Sequence, residues 1–192
     1  MYSESLTHAY QSIISSIPDD TPAGFVVTEF DEMISSYISD AAAFRDRNDL
    51  VNEYASRTYA HGWLDAGIFL GYFLGNTPCL YLPDDSWIPV EQYERLKEKT
   101  LRYERMLKDA ISSIEPAPES GSPYHNAALL ILRKSEDMYI QAKSHHQIDI
   151  VYAAALGRLS YGYGWLDAGL RAGLFRILAN PDLFTTETSR KL

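Results

Sequence analysis

Two aspartates, Asp65 and Asp167, stand out in this 192-residue chain because each lies in an otherwise apolar stretch. A buried carboxylate must be paired, hydrogen-bonded or protonated. It could then serve catalysis or contact a ligand, or it could tie its helix to a neighbour through a tyrosine hydroxyl or a tryptophan N–H. We expect the structural role, because hydrogen-bond and ion-pair networks also hold buried acids.

The two aspartates belong to a segment that occurs twice. Residues 59–67 read Tyr-Ala-His-Gly-Trp-Leu-Asp-Ala-Gly, and residues 161–169 read Tyr-Gly-Tyr-Gly-Trp-Leu-Asp-Ala-Gly, with seven of nine positions identical. Tyr37 and Tyr139 are separated by the same 102 residues, and Ile-Ser-Ser-Ile at 14–17 recurs at 111–114, an offset of 97. These matches indicate an internal duplication.

Polar residues near Asp65 recur every four residues, the spacing at which side chains meet on one helix face. His61 precedes Asp65 by four residues, and Arg171 follows Asp167 by four. The stripe is not repeated, because Glu53, Arg57, His61 and Asp65 correspond to Ala155, Leu159, Tyr163 and Asp167. A catalytic site common to both copies would therefore have to use only the Asp, Trp and Tyr of the motif.

The candidate ligand contacts are the polar and aromatic residues of the two motif segments, which could line a site between the copies. They are Tyr59, His61, Trp63, Asp65, Tyr161, Trp165, Asp167 and Arg171. We assign no catalytic residue and expect no cofactor, because the chain has no Gly-rich phosphate loop, no H-E-x-x-H and no G-x-S-x-G. A helical ribonuclease that pairs Arg57 with His61 is a weaker alternative, because the second copy lacks the histidine.

Residues that could ligate a metal are few. Cys79 is the only cysteine, which excludes a cysteine cluster and an intrachain disulfide. His145 and His146, followed by Asp149, could hold a metal loosely, but no further ligand is evident and histidines also suit a helix C-terminus. We therefore expect no metal site.

Apolar residues between the Pro- and Gly-rich breakers recur at helical intervals, which predicts an all-α fold. We expect three helices per copy and six in all, packed as two tandem three-helix bundles in a pseudo-twofold arrangement. The second helices are predicted at 25–44 and 127–142, and the third at 50–74 and 150–178. No strand is predicted, because the sequence shows no convincing two-residue alternation of apolar and polar residues. The predicted divisions are a first repeat at 1–80, a connector at 81–89, a second repeat at 90–182 and a flexible tail at 183–192.

Glycines interrupt the two third helices, which are apolar nearly all round and should therefore be central. Each interior glycine costs about 0.5–1 kcal/mol relative to alanine. The expected compensation is close approach of another backbone or an aromatic ring; the alternative is a ligand against the bare backbone. The glycines concerned are Gly62, Gly67, Gly71, Gly162, Gly164, Gly169 and Gly173.

Charge is unevenly distributed along the chain. The formal net charge is −9 and the pI about 5.0, and residues 1–85 carry three basic and thirteen acidic residues. Such an acidic half disfavours nucleic-acid binding. No apolar run is long enough for a membrane helix, and the first residues lack the features of a signal peptide, which predicts a cytoplasmic protein without a membrane contact.

The segment at 59–67 resembles the signature Y-A-H-G-W-L-D-A-G of an archaeal family, domain of unknown function 357. Residues 161–169 depart from that signature at Gly162 and Tyr163, and the Leu170-Arg171 that follows again looks like the family. The resemblance implies small three-helix bundles, usually one per chain, so the two copies here would form a fused pseudo-dimer. It implies no activity and no catalytic residues.

The sequence favours a non-catalytic protein-interaction or scaffold module, with the acidic first copy as the surface for a basic protein partner. The alternative is a small-ligand binder or enzyme with its site between the repeats, around the paired motif helices. The chain would be a monomeric pseudo-dimer or a homodimer.

Overall fold

Six α-helices form two sets of three in the part of the chain that the structure, a computed structural model, describes: residues 2–15, 17–145 and 151–184. This arrangement confirms the predicted all-α fold of six helices. The first set is α1 (Tyr2–Ser12), α2 (Pro22–Asp46) and α3 (Leu50–Phe69); the second is α4 (Tyr93–Ser112), α5 (Pro123–Ser144) and α6 (Tyr152–Arg171).

The second helix of each repeat starts in the same way. The Thr21 hydroxyl accepts a hydrogen bond from the backbone N–H of Gly24, and the Ser122 hydroxyl accepts one from His125. A proline follows each cap at the first helical position, where its missing N–H costs nothing. The two helices therefore begin three or four residues before the predicted 25 and 127.

The third helices are shorter than predicted, and this corrects the ranges 50–74 and 150–178. α3 ends at Phe69 and α6 at Arg171, because Gly71 and Gly173 adopt positive φ angles of 77° and 74°. Their N–H groups bond back to the carbonyls three residues earlier, as in a glycine C-cap. Gly71 and Gly173 therefore terminate the helices and do not lie in their interior.

Short strands, which the sequence did not predict, tie the ends of each repeat together. In the second repeat, β1 (Ile114–Pro116) pairs antiparallel with β2 (Phe175–Ile177), Ile114 opposite Ile177. In the first repeat a single bridge joins Ile14 to Leu74. Segments of three residues or fewer are too short to give an alternating pattern.

The first helices of the two repeats correspond at an offset of 101 residues, which corrects the offset of 97. Ile14 lies in the bridge to Leu74, whereas its supposed counterpart Ile111 lies in the last turn of α4. The Ile-Ser-Ser-Ile echo is therefore not a structural correspondence. The core positions that do correspond are Leu6 with Leu107, Ala9 with Ala110 and the partly buried Ile13 with Ile114.

The backbones of α3 and α6 touch at Gly62 and Gly164. A Cβ atom built on Gly62 would lie 2.3 Å from the carbonyl oxygen of Tyr161, and one on Gly164 would lie 2.4 Å from that of Tyr59. No side chain fits at these distances, so the predicted close approach of a second backbone is confirmed. The reciprocal contacts relate the repeats by a pseudo-twofold axis through this crossing.

The remaining helices pack outside this central pair. α2 covers α3, and both α4 and α5 cover α6. Aromatic rings fill the space beside two other glycines, with Phe73 against Gly67 and Phe175 against Gly169, whereas Met138 lies against Gly162. Within the described residues, no helix has the length and apolar character to cross a membrane.

The sequence-based divisions at 80, 89 and 182 stay predictions. The proposed flexible tail lies almost wholly outside the described residues, which end at 184. His146 and Asp149 of the weak metal candidate also lie outside them. Among the residues that are described, no group of three or more His, Cys, Asp or Glu is placed to hold a metal.

We expect Gly62→Ala and Gly164→Ala each to lower the free energy of unfolding by more than about 2 kcal/mol, measured by urea denaturation at neutral pH. Gly→Ala inside a helix normally stabilises by about 1 kcal/mol. A loss of stability would therefore show that the added methyl group clashes with the other helix. The double variant should cost less than the sum of the singles, because the first methyl group already separates the helices. A gain in stability, or strict additivity, would contradict the close crossing.

Candidate ligand site between the repeats

Crossed hydrogen bonds flank the contact of α3 and α6. The Tyr161 hydroxyl of α6 donates to Asp65 Oδ2 of α3 at 2.5 Å, and the Tyr59 hydroxyl of α3 donates to Asp167 Oδ2 of α6 at 2.6 Å. Each motif tyrosine thus binds the motif aspartate of the other repeat. The four side chains clamp the two helices together on either side of the glycines.

A polar cluster surrounds Asp65. Its Oδ1 accepts a hydrogen bond from the Thr77 hydroxyl at 2.5 Å, and His61 Nε2 lies 3.5 Å from Oδ2. On the other side of the ring, the Tyr2 hydroxyl lies 2.9 Å from His61 Nδ1. Burial lowers the pKa of His61 and raises that of Tyr2, so a neutral imidazole faces a protonated phenol.

The Asp167 side of the crossing opens into a cavity of about 240 Å³ between the repeats. Asp167 itself is only 4% exposed. At one end, the segment 182–184 forms part of the cavity wall, and the Tyr163 hydroxyl donates a hydrogen bond to the carbonyl of Leu183. The polar and aromatic residues of the lining are Tyr37, Ser56, Tyr59, Tyr103, Tyr163, Asp167, Asp182 and Phe184.

The described lining of the inter-repeat cavity carries acidic side chains and no basic ones. Burial, followed by the negative charge of Asp167, raises the pKa of Tyr37 to about 12 and also raises that of Tyr163. Both phenols therefore stay protonated at neutral pH. Among the described lining residues, Asp167 and Asp182 are acidic and none is basic.

The two tryptophans and Arg171 lie outside this cavity. Trp63 packs edge-on against Phe30 at 4.8 Å between ring centroids, and Trp165 packs against Phe69 at 5.6 Å. Arg171 Nη1 lies 3.7 Å from Glu29 Oε2 of the other repeat. Trp63 therefore packs in the core of the first repeat, whereas Trp165 and Arg171 contribute to the contact between the repeats.

The sequence-predicted residues therefore form two separate clusters. Tyr59 and Asp167 line the cavity, whereas His61, Asp65 and Tyr161 form the network on the opposite side of the crossing. Sequence reasoning missed the other tyrosines and the second acid of the lining, which are Tyr37, Tyr103, Tyr163 and Asp182. The correspondence of Tyr37 with Tyr139 was a detectable signal, but nothing in the spacing places Asp182 beside Asp167.

We expect Tyr59→Phe to cost about 1.5–3 kcal/mol of unfolding free energy, because it removes the charge-assisted hydrogen bond that the Tyr59 hydroxyl donates to the buried Asp167 carboxylate. Tyr161→Phe should cost less, because the Asp65 side chain is 20% exposed and keeps its bond to Thr77. Chemical denaturation of both variants, with Tyr139→Phe as a control, measures the difference. Equal costs for the two sites would contradict this account.

His61 should make the protein sensitive to acid. In the unfolded chain it takes up a proton near pH 6.5, whereas in the folded state its lowered pKa keeps it neutral. The unfolded state then binds more protons than the folded state. The free energy of unfolding is therefore at its full value above about pH 6.5 and falls as the pH drops below it. Urea unfolding measured below pH 6.5 should show that the free energy of unfolding of His61→Gln depends less steeply on pH than that of the wild type. An equal pH dependence of the two proteins would contradict the role given to His61.

Comparison with known proteins finds the same duplication. No curated protein and no solved structure matches the chain. A model of the family described as "Protein of unknown function (DUF357)" matches residues 1–73 and again residues 102–175. The two matched segments begin 101 residues apart, which is the offset that relates the core residues of the two first helices. The chain therefore belongs to the DUF357 family and carries two tandem copies of its unit.

Proposed function

We propose that this protein is a non-catalytic binding module that takes a cationic amine into the cavity between its repeats. The observation that carries the proposal is the lining of four tyrosines and two carboxylates, without a basic residue among the described lining positions. Ammonium groups bind favourably over aromatic faces, and the interaction strengthens where water is excluded. A buried carboxylate nearby adds direct charge attraction.

The size of the cavity restricts the ligand to a small group. Pockets that accept drug-sized molecules measure about 300–1,000 Å³, and this one measures about 240 Å³. An ammonium carried on a short alkyl chain fits such a volume. The ligand would enter beside Asp182, which is exposed, and would lie between the rings of Tyr37 and Tyr163.

Binding rather than catalysis is supported by the protonation of the lining groups. The pKa values of Tyr37 and Tyr163 are raised, so neither phenol supplies a base or a nucleophile near neutral pH. The Asp167 carboxylate is engaged by the Tyr59 hydroxyl. These groups are suited to holding a positive charge.

Both hypotheses raised by the sequence share this chemistry. A lysine side chain of a basic protein would bring the ammonium in the interaction-module hypothesis, and a free amine would bring it in the small-ligand hypothesis. The thirteen acidic residues of the first 85 would attract either cation at long range. The cytoplasmic location and archaeal origin stay predictions.

We expect butylammonium to shift the NMR signals of the cavity tyrosines and to bind at least about tenfold more tightly than 1-butanol, its neutral analogue. Tyr37→Leu should weaken butylammonium binding about two- to thirtyfold. The matched control is Tyr139→Leu, the corresponding tyrosine of the second repeat, which does not line the cavity. That variant should bind like the wild type.

A short lysine-containing peptide distinguishes the two sources of the amine. Tighter binding of the peptide than of butylammonium would identify a basic protein segment as the ligand, and the reverse would identify a free amine. Failure of both probes to bind at millimolar concentration, or equal binding of 1-butanol and butylammonium, would overturn the proposal.

A further inference from the structure

We propose that the first repeat holds a second, separate binding site for a small organic carboxylate. A cavity of about 370 Å³ lies between the start of α1, the first turns of α3 and the connector between the repeats. It shares no lining residue with the inter-repeat cavity. Its distinguishing feature is a cluster of Arg45, Glu53 and Arg57 set among aromatic side chains.

The charged cluster carries one more positive than negative charge. Glu53 Oε1 accepts from Arg57 Nε at 2.8 Å and from Arg45 Nη2 at 2.7 Å, so two guanidinium groups share one carboxylate oxygen. Arg57 and Glu53 are 3% and 2% exposed, whereas the Arg45 side chain is 49% exposed. Arg57 Nη1 also lies 3.4 Å from the carbonyl oxygen of Ser3. An incoming anion would neutralise the excess charge.

The second repeat indicates that folding does not require these charges. Glu53 and Arg57 correspond to Ala155 and Leu159, which are completely buried in the same fold unit. Buried ion pairs carry a desolvation cost, and apolar replacements are often neutral or stabilising. A costly charged cluster retained in one of two equivalent positions is the pattern expected of a functional site.

Aromatic side chains form the walls above the charges. Tyr54 and Trp87 lie 5.2 Å apart between ring centroids, and Tyr2 and Tyr81 lie 5.8 Å apart. The Tyr54 hydroxyl donates to the Tyr81 carbonyl at 2.6 Å, which fixes the connector over α3. Guanidinium groups recognise carboxylates through paired hydrogen bonds, and aromatic walls favour a flat apolar body. The fitting ligand class is therefore an aryl or similarly flat carboxylate.

Calorimetric titration of the full chain with benzoate tests the proposal. We expect benzoate to bind at least about tenfold more tightly than benzyl alcohol, which has the same ring without the charge. The double variant Glu53→Ala with Arg57→Leu carries the residues of the second repeat. It should keep the melting temperature of the wild type or exceed it. The triple variant, which adds Arg45→Gln and so removes the remaining positive charge, should lose benzoate binding at least about tenfold.

Two controls make the test specific. Arg95→Leu removes a positive charge that pairs with Asp49 outside the cavity, so it should leave benzoate binding unchanged. Tyr37→Leu should also leave it unchanged, which separates this site from the amine cavity. If the double variant does not fold, the single variant Arg45→Gln tests the proposal, because that half-exposed side chain can be changed without disturbing the core. Arg45→Gln is expected to bind benzoate more weakly than the wild type.

Three results would overturn the proposal. The first is no binding of benzoate or phenylacetate to the wild type at millimolar concentration. The second is equal binding of benzyl alcohol. The third is unchanged benzoate binding in the folded triple variant or in Arg45→Gln.

Discussion

The contact between the backbones of α3 and α6 at Gly62 and Gly164 is the constraint on which the rest of the structure depends. Only with both side chains absent do the helices come close enough for Tyr59 and Tyr161 to reach across them. The tyrosine–aspartate bonds then fix the two helices relative to each other. Both the cavity on the Asp167 side and the buried network on the Asp65 side follow from this one crossing.

The duplication provides an internal comparison of what folding needs and what it does not. Positions that face the crossing are kept in both repeats as the Tyr, Gly, Trp and Asp of the motif. Away from the crossing the repeats differ: Glu115 and Arg176 form an exposed ion pair at 2.9 Å across β1 and β2, whereas the first repeat has the exposed pair Ile14 and Leu74. His61 and Tyr163 occupy one equivalent position and create different surroundings for the two aspartates.

Sequence reasoning predicted the parts of the molecule that depend on local pattern. The duplication, the six helices and the close approach at Gly62 were all accessible, because helical periodicity and the cost of interior glycine are local properties. The helix ends at Gly71 and Gly173 were not, because an interior and a capping glycine look alike in sequence. The cavity was not accessible either, because its walls come from residues as far apart as Tyr37 and Asp182.

The crossing also has a kinetic consequence. Gly62 and Gly164 are about one hundred residues apart in the chain, so their contact closes a long loop and cannot form before the second repeat is made. During synthesis, α3 would present its bare glycine face and the Tyr59 hydroxyl to solvent until α6 arrives. The two repeats therefore complete their folding together, and the first cannot reach its final packing alone.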